Sequence, residues 1–195
     1  CQDIDQVRGI EGESARAYFE SFDRMVREDR ETFRLDGRNR RPPRDPMNAL
    51  LSFLYAILMN DCIAGVEGVG LDPQMGFLHA IRPGRASLAL DLMEEVRSVL
   101  ADRLALTLIN RKQIQAKHFI DRPGGAVHLN DDGRKEVVVA YQKRKQEEIT
   151  HPLLDQKMPL GLIPHVQARL LARTLRGDME AFDALVGPEQ AARDI

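Results

Sequence analysis

From Pro46 to about Val66 the chain is apolar on most faces of a helical wheel, with Ala49, Leu50, Leu51, Phe53, Leu54, Ala56, Ile57, Leu58 and Met59 pointing in every direction. A helix without a broad polar stripe has to be surrounded by other elements, because its apolar surface is costly in water. The segment therefore predicts a multi-helix domain with this helix at its centre. Asp45 supplies an N-cap and Pro46 the first helical residue. The run Ala49 to Leu58 is interrupted by Ser52 and Tyr55 and soon followed by Asn60 and Asp61, far short of a membrane span, so no transmembrane segment is expected. Asn48 and Tyr55, the polar groups carried inward, are expected to make buried hydrogen bonds.

The other elements follow the same 3.6-residue repeat. Ala15, Tyr18, Phe19, Phe22, Met25 and Val26 predict an amphipathic helix from about Glu13 to Val26, reaching back through Val7 and Ile10. The stretch 27–45 is charged, Pro-containing and nearly without apolar residues, and is expected to be a mobile loop. Gly65, Gly68, Gly70 and Asp72-Pro73 end the central helix and open a connector to Pro83. Ser87 is expected to cap a second long helix, whose stripe of Leu88, Leu92, Val96, Val99, Leu100, Leu104 and Leu108 is continuous. Another helix is expected near Arg111 to Lys117, then a small turn from Val127, then helix from Arg134 to Glu148 through the valines 137–139. A final helix, Pro164 to Arg176, is closed by Gly177. The sum is an all-α domain of about six to nine helices over 1–195.

The net charge of −2 does not by itself mark a nucleic-acid binder. Its distribution matters more: Arg34 to Arg44 carries five arginines, and Asn110 to Lys117 and Gln142 to Lys145 are also basic. Two cysteines, Cys1 and Cys62, provide neither a disulfide framework nor a thiolate zinc site, which suits a reducing cytoplasm. The opening Cys1-Gln-Asp-Ile-Asp lacks a signal-peptide pattern and is expected to be an internal cut.

Asp91, Glu94 and Arg97, at i, i+3 and i+6, project from one helix face opposite the leucine stripe. His79 precedes Glu94 by fifteen residues, with Arg82-Pro83-Gly84 between them, so the chain can fold back and bring the imidazole to that face. Glu11 lies between Gly9-Ile10 and Gly12, whose small size permits close approach. Two carboxylates and an imidazole suit Mn²⁺ or Mg²⁺ rather than a thiolate metal, and leave octahedral positions for water and phosphate oxygens. By spacing alone, an acidic helix face is more often simply solvated.

Four strings carry a resemblance. Arg8-Gly-Ile-Glu-Gly-Glu-Ser-Ala-Arg-Ala-Tyr18, Arg41-Pro-Pro-Arg-Asp-Pro-Met-Asn-Ala-Leu-Leu-Ser-Phe53, Gly70-Leu-Asp-Pro-Gln-Met-Gly-Phe-Leu-His79 and Ser87-Leu-Ala-Leu-Asp-Leu-Met-Glu-Glu95 resemble, in order, the signatures of the CRISPR-associated endonuclease and integrase family Cas1. Gln167-Ala-Arg-Leu-Leu-Ala and Leu175-Arg-Gly resemble its closing helix. The resemblance implies that Glu11, His79 and Glu94 ligate a metal, Mn²⁺ or Mg²⁺, that Asp91 supports the site, and that Arg82 and Arg97 contact DNA phosphate. It implies DNA, a Cas2 subunit and a homodimer in the full-length protein as partners, and spacer acquisition into a CRISPR array as the function. It also implies an N-terminal β-rich dimerisation domain, for which this sequence has no counterpart.

Two other function classes remain at this point. A non-catalytic helical scaffold binding DNA or protein would not depend on Glu11, His79 or Glu94. A phosphohydrolase for small esters is disfavoured, since the sequence has neither a His-Asp doublet nor a glycine-rich phosphate loop. Lys143, Arg144 and Lys145 are expected on an exposed, ion-paired face. His118, His128, His151 and His165 are expected to be structural.

Overall fold

The computed structural model describes residues 4–182. In chain order the elements are α1 (Ile4–Arg24), α2 (Arg30–Phe33), α3 (Pro46–Gly68), α4 (Ser87–Arg97), a π-helical turn (Ser98–Asp102), α5 (Arg103–Asn110), β1 (Phe119–Arg122), β2 (Ala126–Leu129), α6 (Asp131–Lys145), β3 (Glu148–His151), β4 (Gln156–Pro159) and α7 (Ile163–Leu175). The protein is mostly helical, as its periodicity requires. It is not purely α: β1–β2 and β3–β4 are antiparallel hairpins, and each strand has only four residues. Alternation cannot establish itself over so short a run, so these strands leave little mark on the sequence. The chain divides into two compact units, Cys1–Leu54 with Arg103–Ala140, and Tyr55–Asp102 with Tyr141–Ile195.

In the first unit α1 turns Phe19 and Phe22 inward, with Val26 buried just beyond it, and the rings of Phe19 and Phe22 lie 6.2 Å apart. The segment 27–45 contains α2 and buries Phe33 and Leu35, the only large apolar residues it has. Phe33 meets Phe119 of β1 edge-on at 5.8 Å. Asp45 caps α3 as expected: its Oδ1 accepts from the Asn48 N–H at 2.7 Å, and its carbonyl from Ala49 at 3.0 Å. The helix expected near Arg111 to Lys117 is instead a turn followed by a single 3₁₀ turn, Ala116–His118. Lys112 at φ 57° is incompatible with continuing α5. The three valines 137–139 lie within α6, with Val137 buried.

In the second unit α4 packs on α7, and their polar groups join. Gln167 donates to Glu95 at 2.6 Å and pairs with the buried His151 at 3.0 Å. A β-carbon on Gly65 would stand 3.1 Å from the Pro164 carbonyl oxygen, so α3 and α7 meet here backbone to backbone. The leucine stripe does not continue as one helix past Arg97. Leu100, Ala101 and Asp102 are buried in the π turn that separates α4 from α5. Gly177, at φ 80°, closes α7 with its N–H on the Thr174 carbonyl.

One expectation about α3 needs correction. At 23 residues with a mean hydropathy of 1.8 over its most apolar window, it has the length and composition of a membrane span. The apolar character resumes past Asn60-Asp61 with Cys62, Ile63, Ala64 and Val66, which supplies the extra length. Leu50, Leu51, Leu54, Leu58, Cys62 and Val66 are nevertheless buried within the protein.

Candidate metal centre and its supporting residues

The connector between α3 and α4 carries His79, and the first turns of α4 fix its path. Leu88 donates its N–H to the Pro73 carbonyl at 2.8 Å. Ser87 does not cap α4 with its side chain: the buried hydroxyl donates instead to the Ala80 carbonyl at 3.0 Å. Gly76 lies so close to Ser87 that an added β-carbon would be 2.6 Å from the Ser87 Cβ.

Asp91 completes the anchoring. Its Oδ2 accepts from the N–H groups of Phe77 at 2.6 Å and Leu78 at 3.1 Å, and its Oδ1 from the N–H of His79 at 2.9 Å. The same Oδ1 lies 2.6 Å from His79 Nδ1. Burial alone would raise the Asp91 carboxyl's pKa. The hydrogen bonds from the His79 ring and from the backbone of His79, Phe77 and Leu78 outweigh it and hold the pKa below its usual value. With Nδ1 engaged as a donor, the neutral imidazole keeps its lone pair on Nε2.

Glu94 follows Asp91 by one turn on the same helix face. A carboxylate oxygen of Glu94 and a ring nitrogen of His79 lie within 4.8 Å of each other. Arg97, the next turn along, places Nη1 at 2.6 Å from Glu94 Oε2. Its guanidinium lies 5.7 Å from the centroid of the Tyr55 ring, and its Nε is 3.9 Å from Asp102 Oδ2. Tyr55 donates its hydroxyl to Asp102 Oδ1, which makes it the buried hydrogen-bonded group expected of that helix. Arg82 is exposed on the connector three residues past His79. Glu11 belongs to the first unit, where it is exposed on α1. Within the second unit the fold thus brings together His79, Asp91, Glu94 and Arg97.

The family model for CRISPR associated protein Cas1 matches residues 1–143. This chain belongs to the Cas1 family. A CRISPR-associated endonuclease Cas1 of Moorella thermoacetica is 66% identical over 180 residues, which cover 92% of this chain and 52% of that one. The chain therefore spans about half the length of that relative. The solved Cas1 protein of Thermotoga maritima superposes with a TM-score of 0.82 at 30% identity, over 91% of this chain and 54% of that one. A chain in a Cas6-RT-Cas1–Cas2 complex gives 0.81 at 27% identity, over 94% of this chain and 20% of the other.

Asp102 was not visible as a functional candidate in this Cas1 sequence. Its one signal is a carboxylate directly after the apolar run Val99-Leu100-Ala101. The basic stretches are partly spent on the protein itself. Arg38 donates to Asn48 and lies over Phe19 at 5.5 Å, Arg144 donates to Glu147 and to the Val99 carbonyl, and Lys145 pairs with Asp61 at 2.9 Å. Arg34, Arg40, Arg41 and Arg44 are exposed. His118 accepts the Gln115 N–H through Nδ1, consistent with a structural role.

Proposed function

We propose that this chain carries the active site of a metal-dependent DNA endonuclease and integrase that inserts foreign DNA fragments as new spacers into a CRISPR array in the cytoplasm. The observation that carries the reading is the hold of Asp91 on His79. A histidine whose Nδ1–H is given to a carboxylate presents Nε2 as a basic, oriented ligand, the arrangement common around protein-bound metals. Glu94 and Glu11 add carboxylate oxygens, and the resulting mixed set fits Mn²⁺ or Mg²⁺.

In this reading Glu11, His79 and Glu94 hold the cation, Asp91 orients His79, and Arg82 and Arg97 contact DNA phosphate. The bound cation would polarise a phosphodiester and offset the charge that develops in its displacement. Exposed Arg82 draws the DNA backbone toward His79, and Arg97 adds a guanidinium able to pair with phosphate oxygens. A 3′-hydroxyl as nucleophile gives strand joining, and water gives cleavage. The contacts are to backbone, so selectivity comes from DNA shape and branching. The name endonuclease borne by the Moorella relative supports the chemistry, and the Cas1–Cas2 assembly of the structural neighbour supports a Cas2 partner. A homodimer in the full-length protein, with no membrane, completes the assembly we infer.

The test is manganese-dependent cleavage and joining of branched DNA by the wild-type protein and His79→Ala, with DNA binding measured alongside. Loss of both reactions with binding retained is expected. Undiminished joining would overturn the site and favour a non-catalytic DNA- or protein-binding scaffold.

A further inference from the structure

Arg97 stands between two carboxylates that it holds unequally. Nη1 is 2.6 Å from Glu94 Oε2, whereas Nε is 3.9 Å from Asp102 Oδ2, at the edge of ion-pair range. We propose that Asp102 is a positioning residue for Arg97, a second anionic seat to which the guanidinium moves when a divalent cation takes Glu94. The inference rests on Glu94 being a metal ligand.

Three features make Asp102 suited to this. Its side chain is 1% exposed, and a carboxylate so buried is stabilised by a cation brought close. Tyr55 fixes it through Oδ1, which leaves Oδ2 as the oxygen nearer Arg97. The Tyr55 ring also lies under the guanidinium at 5.7 Å, so its face stays beneath the cation over a short movement. The π turn matters because it carries Asp102 inward, five residues after Arg97, in a register that a regular helix would turn toward another face.

The electrostatics give the movement its direction. In the structure the guanidinium is held within ion-pair distance of Glu94. A divalent ion on Glu94 both removes that attraction and repels Arg97, since like charges a few ångströms apart disfavour one another. Asp102 offsets this by offering an anion close at hand. Without it, Arg97 would stay on Glu94 and compete with the metal.

Mn²⁺ binding to the 195-residue chain, read from the paramagnetic resonance of free Mn²⁺ in the absence of DNA, tests this without recourse to activity. Asp102→Asn is expected to bind about tenfold more weakly, the scale typical of losing a group that supports a ligand. Adding Arg97→Gln to Asp102→Asn is expected to restore the affinity of Arg97→Gln alone, since nothing then competes for Glu94. Wild-type affinity in Asp102→Asn, or a deficit that survives Arg97→Gln, overturns the proposal. In the unaltered chain, the Arg97 Nε–H proton resonance, assigned by its loss in Arg97→Gln, is expected to move downfield as Mg²⁺ is added; an unmoved signal also overturns it, whatever the stability of the variants. Glu94→Gln separates the two levels. If it binds Mn²⁺ as the wild type does, the metal reading fails; if it loses binding while Asp102→Asn does not, only the role of Asp102 fails.

Discussion

Asp91 Oδ1 receives both the backbone N–H of His79 at 2.9 Å and that residue's ring Nδ1 at 2.6 Å, while Oδ2 receives Phe77 and Leu78. One carboxylate on a rigid helix thereby sets the path of the connector and the orientation of its imidazole. Asp91→Asn keeps one accepting oxygen but turns an NH₂ group toward N–H donors. It is expected to lose about 1–3 kcal/mol of stability by urea denaturation, because charge-assisted bonds are replaced and a donor is left unsatisfied. Mn²⁺ affinity is expected to fall by about 10- to 100-fold in the same variant. Unchanged affinity with the stability loss present would restrict Asp91 to folding.

Gly76 and Gly12 should respond in opposite directions. At Gly76 a β-carbon would stand 2.7 Å from the Ser87 carbonyl carbon, which is backbone and cannot swing away. Gly76→Ala is expected to cost about 1–3 kcal/mol through overpacking and to weaken Mn²⁺ binding by displacing His79. Gly12, in α1, has nothing within 4 Å of an added β-carbon. Gly12→Ala is expected to stabilise the helix by about 0.5–1 kcal/mol. Thermal melts of the two variants check both signs.

The long-period features were legible and the short ones were not. The central helix, α1 and α7 declare themselves by apolar spacing, and Asp45 and Gly177 by their positions at helix ends. The four-residue strands could not, because alternation over four residues is indistinguishable from chance. The π turn was hidden for a related reason: Leu100 and Leu104 keep an α-helical spacing, and only the burial of Asp102 betrays the change in register. Spacing brought Asp91, Glu94 and Arg97 to one face. It could not show that Asp91 turns its oxygens to the connector backbone, since that depends on Gly76 and Ser87 drawing the connector against α4.

Cys62 should behave as an inert thiol. Burial, with Asp61 and Glu95 adding negative potential, raises its pKa from 9.0 to about 12. In a Cys1→Ser background, labelling by a disulfide reagent at pH 8 is expected to be slow in the native protein and immediate in denaturant. The same shift makes stability pH-dependent. Below about pH 9 both states hold the proton; above it the unfolded chain releases the proton and the folded one does not until about pH 12. Stability should therefore fall through that window, with a slope of up to about 1.4 kcal/mol per pH unit from this group. Tyr141, also raised by burial and by its hydrogen bond to Asp61, steepens the decline at its upper end. Cys62→Ala is expected to flatten the slope, and an unchanged slope would remove Cys62 as its source.

Asn48 tests whether the arginine-rich segment before α3 is tied to the helix by one buried amide. The residue is fully buried, and its Nδ2 donates to the Gly37 carbonyl at 3.0 Å and to Asp45 at 2.7 Å. Its Oδ1 accepts from the Asn39 N–H at 3.2 Å and from Arg38. Asn48→Leu has a similar volume but leaves these partners unmatched, and is expected to cost at least about 2 kcal/mol. Asn48→Asp keeps the acceptor for Arg38 and Asn39, yet it loses both donated bonds and sets a second carboxylate against Asp45. Position 48 is fully buried and would hold its carboxylate within hydrogen-bond distance of the Asp45 carboxylate, so Asn48→Asp should also be less stable than the wild type at pH 7. Its deficit should shrink as the pH falls and one carboxyl of the pair is protonated. Urea midpoints at pH 4 and pH 7 distinguish the two variants: the Asn48→Leu deficit should show no such recovery, and a recovery in Asn48→Leu equal to that in Asn48→Asp would mean that the amide network does not govern this junction.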